Sequence, residues 1–240
     1  MNILAEFGIE SVNHYTPLHY SVFIARSNAL LGKPSLKAMG FKPCHLRSMS
    51  SKHDVARGFG EYAFLTIDPK PRILGAKLSA GFPHIAIRVP NSAFDGVEFS
   101  LCRFNVAMTR FLRRRGKPGF PASPANGNYY GAQQIPTART KDEKQALLAA
   151  HLKKGTMIEV LIHGDLPLPS TTKIVCYDDA DVAVVKSILD ELSCPWHIIK
   201  EPPPRNYPRR ADYARAVDEF VEKALADAGW RGNCLEFDRV

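Results

Sequence analysis

The sequence predicts an α+β fold, in which strands outnumber helices and do not alternate regularly with them. Short apolar segments with the length and β-branched content of strands recur along the chain, separated by turn-rich loops. Patterns with helical spacing are few, which disfavours a doubly wound sheet. The glycine motifs of Rossmann and P-loop nucleotide sites, G-x-G-x-x-G and G-x-x-x-x-G-K-[ST], are absent.

The N-terminal half begins with a predicted strand over residues 11–16 and a predicted helix over residues 18–31. Pro17 is compatible with a helix start because proline is tolerated in the first helical turn. Residues 32–60 are rich in Gly, Pro, Ser, Lys and His and are predicted to form a long loop, which in a compact domain is more often functional than not. Further strands are predicted at residues 62–67, 84–89 and 97–101.

The C-terminal half is predicted to begin with a helix over residues 141–153. Thr140 stands in its cap position and Glu143 follows three residues later, which is the pattern of a capping box. The remaining predicted core elements are strands at 156–162, 173–177 and 196–199 and a helix at 180–192. We therefore expect one domain over residues 1–200, followed by an appendage over 201–240 that opens with three prolines and contains an amphipathic helix pattern.

A single carboxylate inside the strand at 156–162 is the strongest functional signal. Strand alternation places Glu159 on one face with Met157 and Leu161, and three aliphatic residues on the other face. Burying an unpaired carboxylate costs on the order of several kcal/mol, so the residue needs partners or a cleft. The functional interpretation is a catalytic carboxylate in a cleft. The alternative is a glutamate near the strand end that reaches water or Lys153.

The composition favours a reducing compartment. Five cysteines are scattered along the chain without any C-x-x-C pair, which argues against a disulfide framework or a zinc site. No stretch approaches the ~18 to 20 consecutive apolar residues of a spanning helix, and the N-terminus lacks the pattern of a secretory signal. We therefore expect a cytoplasmic protein with no membrane partner and no metal.

A net charge of +8 favours acidic partners, with nucleic acid first. Five cations occur within residues 110–117, and Phe111 and Phe120 lie nearby in the sequence. Phosphate contacts together with flat rings for base stacking are what a single-stranded nucleic acid site needs. The alternative is a solvated cationic helix end. The candidate phosphate-binding residues are Arg110, Arg113, Arg114, Arg115 and Lys117.

Four short motifs that suit one chemistry follow each other along the chain. They are His14-Tyr15-Thr16, Arg47, Tyr62-Ala63-Phe64 and Glu159. Their order and spacing resemble the ADP-ribosyltransferases, and most closely the DarT-type toxins that modify bases of single-stranded DNA. The resemblance covers about residues 11–192. It is best around the Glu159 strand, the proline-bearing turn after it and the strand at 173–177.

The resemblance implies a split β-sheet that binds NAD+ as co-substrate in its cleft, without a metal. Glu159 would bond the ribose 2′-hydroxyl, oppose the positive charge that develops on the sugar, and take a proton from the attacking base. Arg47 would pair with the pyrophosphate or orient the acceptor base. Arg57, which is nearer the following strand, competes for this role.

The resemblance assigns the nicotinamide end of NAD+ to the first and third strands. His14 would bond the remaining ribose hydroxyls, and the backbone around Tyr15 and Thr16 would hold the nicotinamide amide. Tyr62 or Phe64 would stack on the nicotinamide ring. The alternatives are that His14 caps the following helix and that Tyr62 and Phe64 are core residues.

The resemblance also implies an acceptor side between the third strand and Glu159. There the arginines would hold phosphates, and Tyr129 and Tyr130 would read a base edge. The expected function is ADP-ribosylation of a nucleic acid base, with single-stranded DNA favoured, in a toxin–antitoxin or phage-defence system with an antitoxin partner. The alternatives are the same chemistry on RNA or protein, and a catalytically silent nucleic-acid-binding module.

Overall fold

The structure is a computed structural model of the 240-residue chain. It describes residues 2–38, 58–68, 83–103, 135 and 137–203. Several predictions of the sequence fall outside these ranges and stay predictions. They concern Arg47, Arg57, the basic run at 110–117, Tyr129, Tyr130, and the appendage beyond residue 203.

The described residues contain ten strands and five α-helices. The strands are β1 (Ser11–Pro17), β2 (Ala29–Leu30), β3 (Tyr62–Ile67), β4 (His84–Pro90), β5 (Phe99–Cys102), β6 (Thr137–Ala138), β7 (Ile158–His163), β8 (Leu166–Pro167), β9 (Lys173–Cys176) and β10 (His197–Lys200). The helices are α1 (Ile3–Glu6), α2 (Ser21–Ser27), α3 (Lys33–Ala38), α4 (Lys141–Leu152) and α5 (Asp179–Glu191).

Eight of the strands form one sheet in the order β10-β9-β4-β1-β3-β7-β5-β6. Every described pairing in it is antiparallel except that of β9 with β10. β1 pairs with β4 over its full length, from Ser11 to Pro17. Between β1 and β3 the described register has a single position, Asn13 opposite Thr66. The sheet therefore consists of two halves that separate between β1 and β3.

The main hydrophobic core lies on one face of this sheet, here called the core face. Alternate residues of the strands reach it, among them Val12, Leu65 and Val160, because side chains of a strand alternate between faces. Helices α2, α4 and α5 contribute to the same cluster. The opposite face, on which Asn13, Thr66 and Glu159 lie, is here called the polar face. It carries only two small clusters of buried residues among the described residues.

Several predicted elements are confirmed. β3 spans the predicted residues 62–67, and β7 covers most of the predicted strand around Glu159. β10 (His197–Lys200) confirms the strand predicted at 196–199 and forms one edge of the sheet. Helix α4 has the predicted capping box, in which the Thr140 hydroxyl accepts from the Glu143 N–H and the Glu143 carboxylate accepts from the Thr140 N–H. No helix among the described residues is long and apolar enough to cross a membrane.

The predicted helix over residues 18–31 is too long. A 3-10 turn (Leu18–Tyr20) leads into α2, which ends at Asn28. Asn28 adopts a left-handed conformation with φ of 49°, which asparagine tolerates better than most residues and which stops the helix. The apolar residues that follow belong to β2, which pairs with β8.

The predicted loop over residues 32–60 is wrong at its start, where α3 forms. The Asp165 carboxylate accepts hydrogen bonds from the Gly32 N–H at 2.6 Å and from the Ser35 hydroxyl at 2.7 Å. These bonds satisfy donors at the beginning of the helix, where the backbone N–H groups have no partner within the helix. Asp165 is 133 residues away from Gly32 in sequence, so a local pattern does not reveal the cap.

Candidate active site

A single row of residues crosses the whole sheet on the polar face. Residues in register on neighbouring strands point to the same face, and the described registers connect one residue from each of the eight strands. From β10 to β6 the row is His197, Lys173, Arg88, Asn13, Thr66, Glu159, Cys102 and Thr137. All its members except Cys102 are polar. Glu159 belongs to the half of the sheet that contains β3.

Glu159 occupies the position that the sequence predicted. Its neighbours along β7, Ile158 and Val160, belong to the main core, whereas Glu159 and Leu161 lie on the polar face. The side chain is 5% exposed, between Thr66 on β3 and Cys102 on β5. The residue also interacts with another part of the protein. The alternative of a solvated strand-end glutamate is therefore wrong.

Thr66 fixes the backbone next to Glu159. Its hydroxyl donates to the carbonyl of Ile158 at 3.3 Å, and its side chain is 3% exposed. The immediate neighbour of Glu159 towards the split is therefore a small, buried side chain.

His14 lies at the split itself. Its Nδ1 is 2.6 Å from the carbonyl oxygen of Phe64 on β3. A carbonyl oxygen only accepts hydrogen bonds, so Nδ1 carries a proton and donates it to this carbonyl. The imidazole thus connects the two halves of the sheet beyond their one paired position. A helix-capping role for His14 is not what the structure shows.

Tyr62 and Phe64 lie on the polar face, next to Glu159 along the sheet. Both are half-buried and pack on a small cluster formed by Phe59, Leu161, Cys102 and Ile135, whereas the intervening Ala63 reaches the main core. The Phe59 ring contacts Tyr62 with 5.2 Å between centroids and Phe64 with 6.4 Å, edge to face in both cases. The two rings are therefore held in place without being enclosed in the core.

The structure does not bring the side chains of Tyr15 and Thr16 to Glu159. Tyr15 packs with Ala86, Val175 and Tyr177 on the part of the polar face beyond β1. Burial there raises the pKa of the Tyr15 phenol to about 12, and the charge of Asp68 adds to the effect. Thr16 is 2% exposed and in register with Ile85 of the main core. A role for the backbone at these two positions stays a prediction.

Asn13 and Arg88 are residues of this site that the sequence reasoning missed. The Arg88 Nε donates to the Asn13 Oδ1 at 3.3 Å, and its Nη1 forms an ion pair with the Glu201 Oε1 at 2.7 Å. Asn13 directly precedes His14, so strand alternation places these two residues on opposite faces of β1, and Asn13 shares the polar face with Thr66 and Glu159. Arg88 carried no local signal, since only the register of β4 on β1 brings it to Asn13.

An open groove of about 340 Å³ adjoins Asn13. Its walls come from the start of β1, from the turn before it, and from the end of β3. The lining residues are Gly8, Ile9, Glu10, Ser11, Asn13, Ile67 and Asp68. Along β3, this groove lies on one side of Thr66 and the Tyr62 and Phe64 rings lie on the other.

The described residues contain no group of three or more His, Cys, Asp or Glu side chains that is placed to hold a metal ion. The predicted site residues that they do contain form two sets. Glu159, Tyr62 and Phe64 share the polar face on the β3 side of the split, and His14 reaches the β3 backbone there at the Phe64 carbonyl, while Tyr15 and Thr16 pack elsewhere through their side chains.

Comparison with known proteins identifies the fold. No protein-family model and no curated protein sequence matches the chain. The chain is similar to the structure of Thermus sp. 2.9 DarT in complex with ADP-ribosylated ssDNA, with a TM-score of 0.52 and 16% identity over 79% of this chain and 93% of that chain. It is likewise similar to Thermus sp. 2.9 DarT in complex with NAD+, with a TM-score of 0.50 and 15% identity over 79% of this chain and 95% of that chain.

These similarities show that the chain has a DarT-type ADP-ribosyltransferase fold. The predicted α+β class with a split sheet and few helices is confirmed. The resemblance of the short sequence motifs is thus borne out at the level of the fold.

Proposed function

We propose that this protein is an NAD+-dependent ADP-ribosyltransferase that modifies a nucleic acid base, with single-stranded DNA as the favoured acceptor. The observation that carries the proposal is the position of Glu159, a buried carboxylate on the polar face near the split of a DarT-type sheet. The solved DarT structures with this fold hold NAD+ in one case and ADP-ribosylated ssDNA in the other.

Glu159 suits the reaction because the transition state is positively charged. The bond between the ribose C1 and the nicotinamide nitrogen breaks, and its electron pair leaves with nicotinamide, so that cationic character develops on the sugar. A carboxylate in a buried site opposes this charge more strongly than one in water. The same carboxylate takes the proton that the attacking base nitrogen loses when its bond to C1 forms.

His14 suits the binding of the ribose. The bond from Nδ1 to the Phe64 carbonyl holds the imidazole at the split, where the ring would bond a ribose hydroxyl. The ring is fixed before the substrate arrives, so little conformational entropy is lost on binding. Tyr62 and Phe64, half-buried and braced by Phe59, offer ring surfaces for the flat nicotinamide.

The acceptor and the biological setting belong to the same proposal and rest on the sequence resemblance. Arg47 would hold the pyrophosphate or the acceptor base. The basic run at 110–117 would hold phosphates, and Tyr129 and Tyr130 would read the base. An enzyme with this activity damages nucleic acid in the cell that makes it, so it would act as a cytoplasmic toxin with an antitoxin partner.

The test is incubation of the purified protein with isotopically labelled NAD+ and separate pools of single-stranded DNA, RNA and protein. We expect label to enter DNA bases with the wild-type protein and not with Glu159→Gln. Glu191→Gln is the matched control, because Glu191 is an exposed carboxylate on α5. Label in RNA alone or in protein alone would show that the acceptor is RNA or protein instead of DNA. Nucleic acid binding without NAD+ cleavage would identify a silent binding module and overturn the proposal.

A further inference from the structure

We propose that Asp165 is a positioning residue for the binding of NAD+. It holds the chain that leaves β2 against the adjoining ends of β3 and β7, where the Tyr62 ring lies. The inference rests on the proposed function, in which Tyr62 or Phe64 offers a ring to the nicotinamide. It adds to that function a residue that acts through the backbone and does not itself touch the co-substrate.

Three segments of the chain meet at Gly32. The Asp165 carboxylate, in the turn after β7, accepts hydrogen bonds from the Gly32 N–H at 2.6 Å and from the Ser35 hydroxyl at 2.7 Å. From the same turn, the Gly164 N–H donates to the carbonyl of Glu61 at 2.9 Å, just before β3 begins. The turn between β7 and β8 therefore binds both the chain that follows β2 and the chain that enters β3.

Gly32 is packed so closely at this junction that a side chain would force a shift. A Cβ atom at this position would lie 3.1 Å from the Glu61 carbonyl oxygen and 3.4 Å from that of Gly164. Glu61 and Gly164 are bonded to each other, so Gly32 packs on the pair of residues that joins the ends of β3 and β7. The short bond to the Asp165 carboxylate, which is strengthened by the charge of the acceptor, fixes Gly32 there.

The junction adjoins the Tyr62 ring on both strands. Tyr62 follows Glu61 and is in register with His163, which precedes Gly164. The His163 ring contacts the Tyr62 ring with 5.0 Å between centroids. The His163 Nε2 also lies 3.3 Å from the Glu61 carboxylate. Two of the residues around Tyr62, Glu61 and His163, are thus attached directly to the junction.

Positioning of this kind raises affinity because less order has to be created on binding. A ring that is already held in place loses little conformational freedom when a ligand stacks on it. Without the Asp165 carboxylate, the chain at Gly32 is released from the turn, and the backbone before Tyr62 loses a packing partner. The cost then falls on NAD+ binding, whereas Glu159 keeps its register with β3 and β5.

The experiment compares Asp165→Ala and Asp165→Asn by the dependence of nicotinamide release on NAD+ concentration. Asp165→Ala loses both hydrogen bonds, whereas the amide of Asp165→Asn accepts from the Gly32 N–H and donates to the Ser35 hydroxyl oxygen. We expect KM for NAD+ to rise about threefold to tenfold in Asp165→Ala, the effect of one hydrogen bond, with kcat changed less than about twofold. Asp165→Asn should restore most of the lost affinity. Asp190→Ala, which removes an exposed carboxylate of α5, is the matched control.

Gly32→Ala tests the same junction from the other side. It keeps the Asp165 carboxylate and adds a methyl group 3.1 Å from the Glu61 carbonyl oxygen. We expect KM for NAD+ to rise in this variant as well. A thermal melt of each variant shows that it is folded at the assay temperature, and if Asp165→Ala does not fold, a normal KM in Gly32→Ala overturns the inference.

A lower melting temperature with an unchanged KM for NAD+ in Asp165→Ala would also overturn it, because Asp165 would then only cap α3. An equal loss of affinity in Asp165→Asn and Asp165→Ala would do the same, because the hydrogen bonds would then not be the cause. Failure of the proposed function looks different, since the wild-type protein itself would release no nicotinamide, and the inference would fall with it.

Discussion

The side chain of Glu159 lies outside the main hydrophobic core, and this placement separates its proposed chemistry from the stability of the sheet. Its strand neighbours Ile158 and Val160 make the core contacts of β7, while Glu159 points to the polar face. His14 differs, because its ring connects β1 to β3 through the Phe64 carbonyl. Changes at these two residues should therefore affect activity and stability in different proportions.

Glu159→Gln should reduce ADP-ribose transfer by about 10²- to 10⁴-fold, because the amide neither opposes the sugar cation nor accepts a proton. The melting temperature should change by only a few degrees, since the glutamine has the same shape and the main core is untouched. Product formation from labelled NAD+ and a thermal melt measure the two effects. A fall of many degrees would show that the carboxylate holds the fold through its partner.

His14→Asn and His14→Ala should separate the two functions of the imidazole. The Asn amide nitrogen can take the place of Nδ1 at the Phe64 carbonyl, so this variant should fold normally and bind NAD+ about tenfold more weakly. His14→Ala should lose a further ~1 kcal/mol of unfolding free energy with the hydrogen bond. NAD+ titration and urea denaturation test this. Equal stability of the two variants would contradict the bridging role.

Helix α4 is positioned by its first turn. Few of its side chains enter the main core, among which Leu148 is fully buried, so packing alone fixes it weakly. The Thr140 and Glu143 side chains satisfy backbone donors at its N-terminus. Hydrogen bonds from the backbone N–H groups of Thr140 and Arg139 lower the pKa of the Glu143 carboxyl.

Thr140→Ala should cost about 1 kcal/mol of unfolding free energy, and Thr140→Ser should cost much less because it keeps the capping oxygen. Urea denaturation of the two variants measures the difference.

The contribution of Glu143 to the stability of the protein should depend on pH. Its pKa is lower in the folded state, so its stabilisation is present above the ordinary value of about 4.3 and is lost as pH falls through the folded-state pKa. Urea midpoints of wild type and Glu143→Ala should therefore differ at neutral pH and converge in acid.

The elements that the sequence predicted correctly are those whose signal is local. β3 has continuous strand-forming residues, and α4 carries its cap within four residues. The missed elements depend on distant partners. Helix α3 needs Asp165, and β2 needs β8, neither of which a pattern within residues 29–38 shows. In the same way Glu159 was predictable from its own strand, whereas the contact of Asn13 with Arg88 depends on sheet register.

The molecule as a whole combines a divided sheet with an excess of positive charge. Under the proposed function, the net charge of +8 would attract an anionic polymer without distinguishing its bases, so base recognition would need groups other than this charge. Binding of nucleic acid and binding of NAD+ should therefore respond to different substitutions.

Replacement of Arg113, Arg114 and Arg115 together by serine should weaken nucleic acid binding and leave NAD+ affinity unchanged. Three lost phosphate contacts should flatten the slope of log affinity against log salt by about 2 for a single strand. Binding titrations at several salt concentrations give the slope, with wild-type protein as reference. A reduced NAD+ affinity with an unchanged slope would assign these arginines to the co-substrate.

The guanidinium of Arg88 joins the two ends of the described chain. It contacts Asn13 in the first strand and Glu201 just after the last one, so residues 188 positions apart share one side chain. Removal of Glu201 and the residues after it therefore takes away the carboxylate that pairs with Arg88. Because Arg88 also donates to the Asn13 side chain, this hydrogen bond loses part of its support. A fragment that ends at residue 200 would therefore lack the ion pair that holds the Arg88 guanidinium beside Asn13.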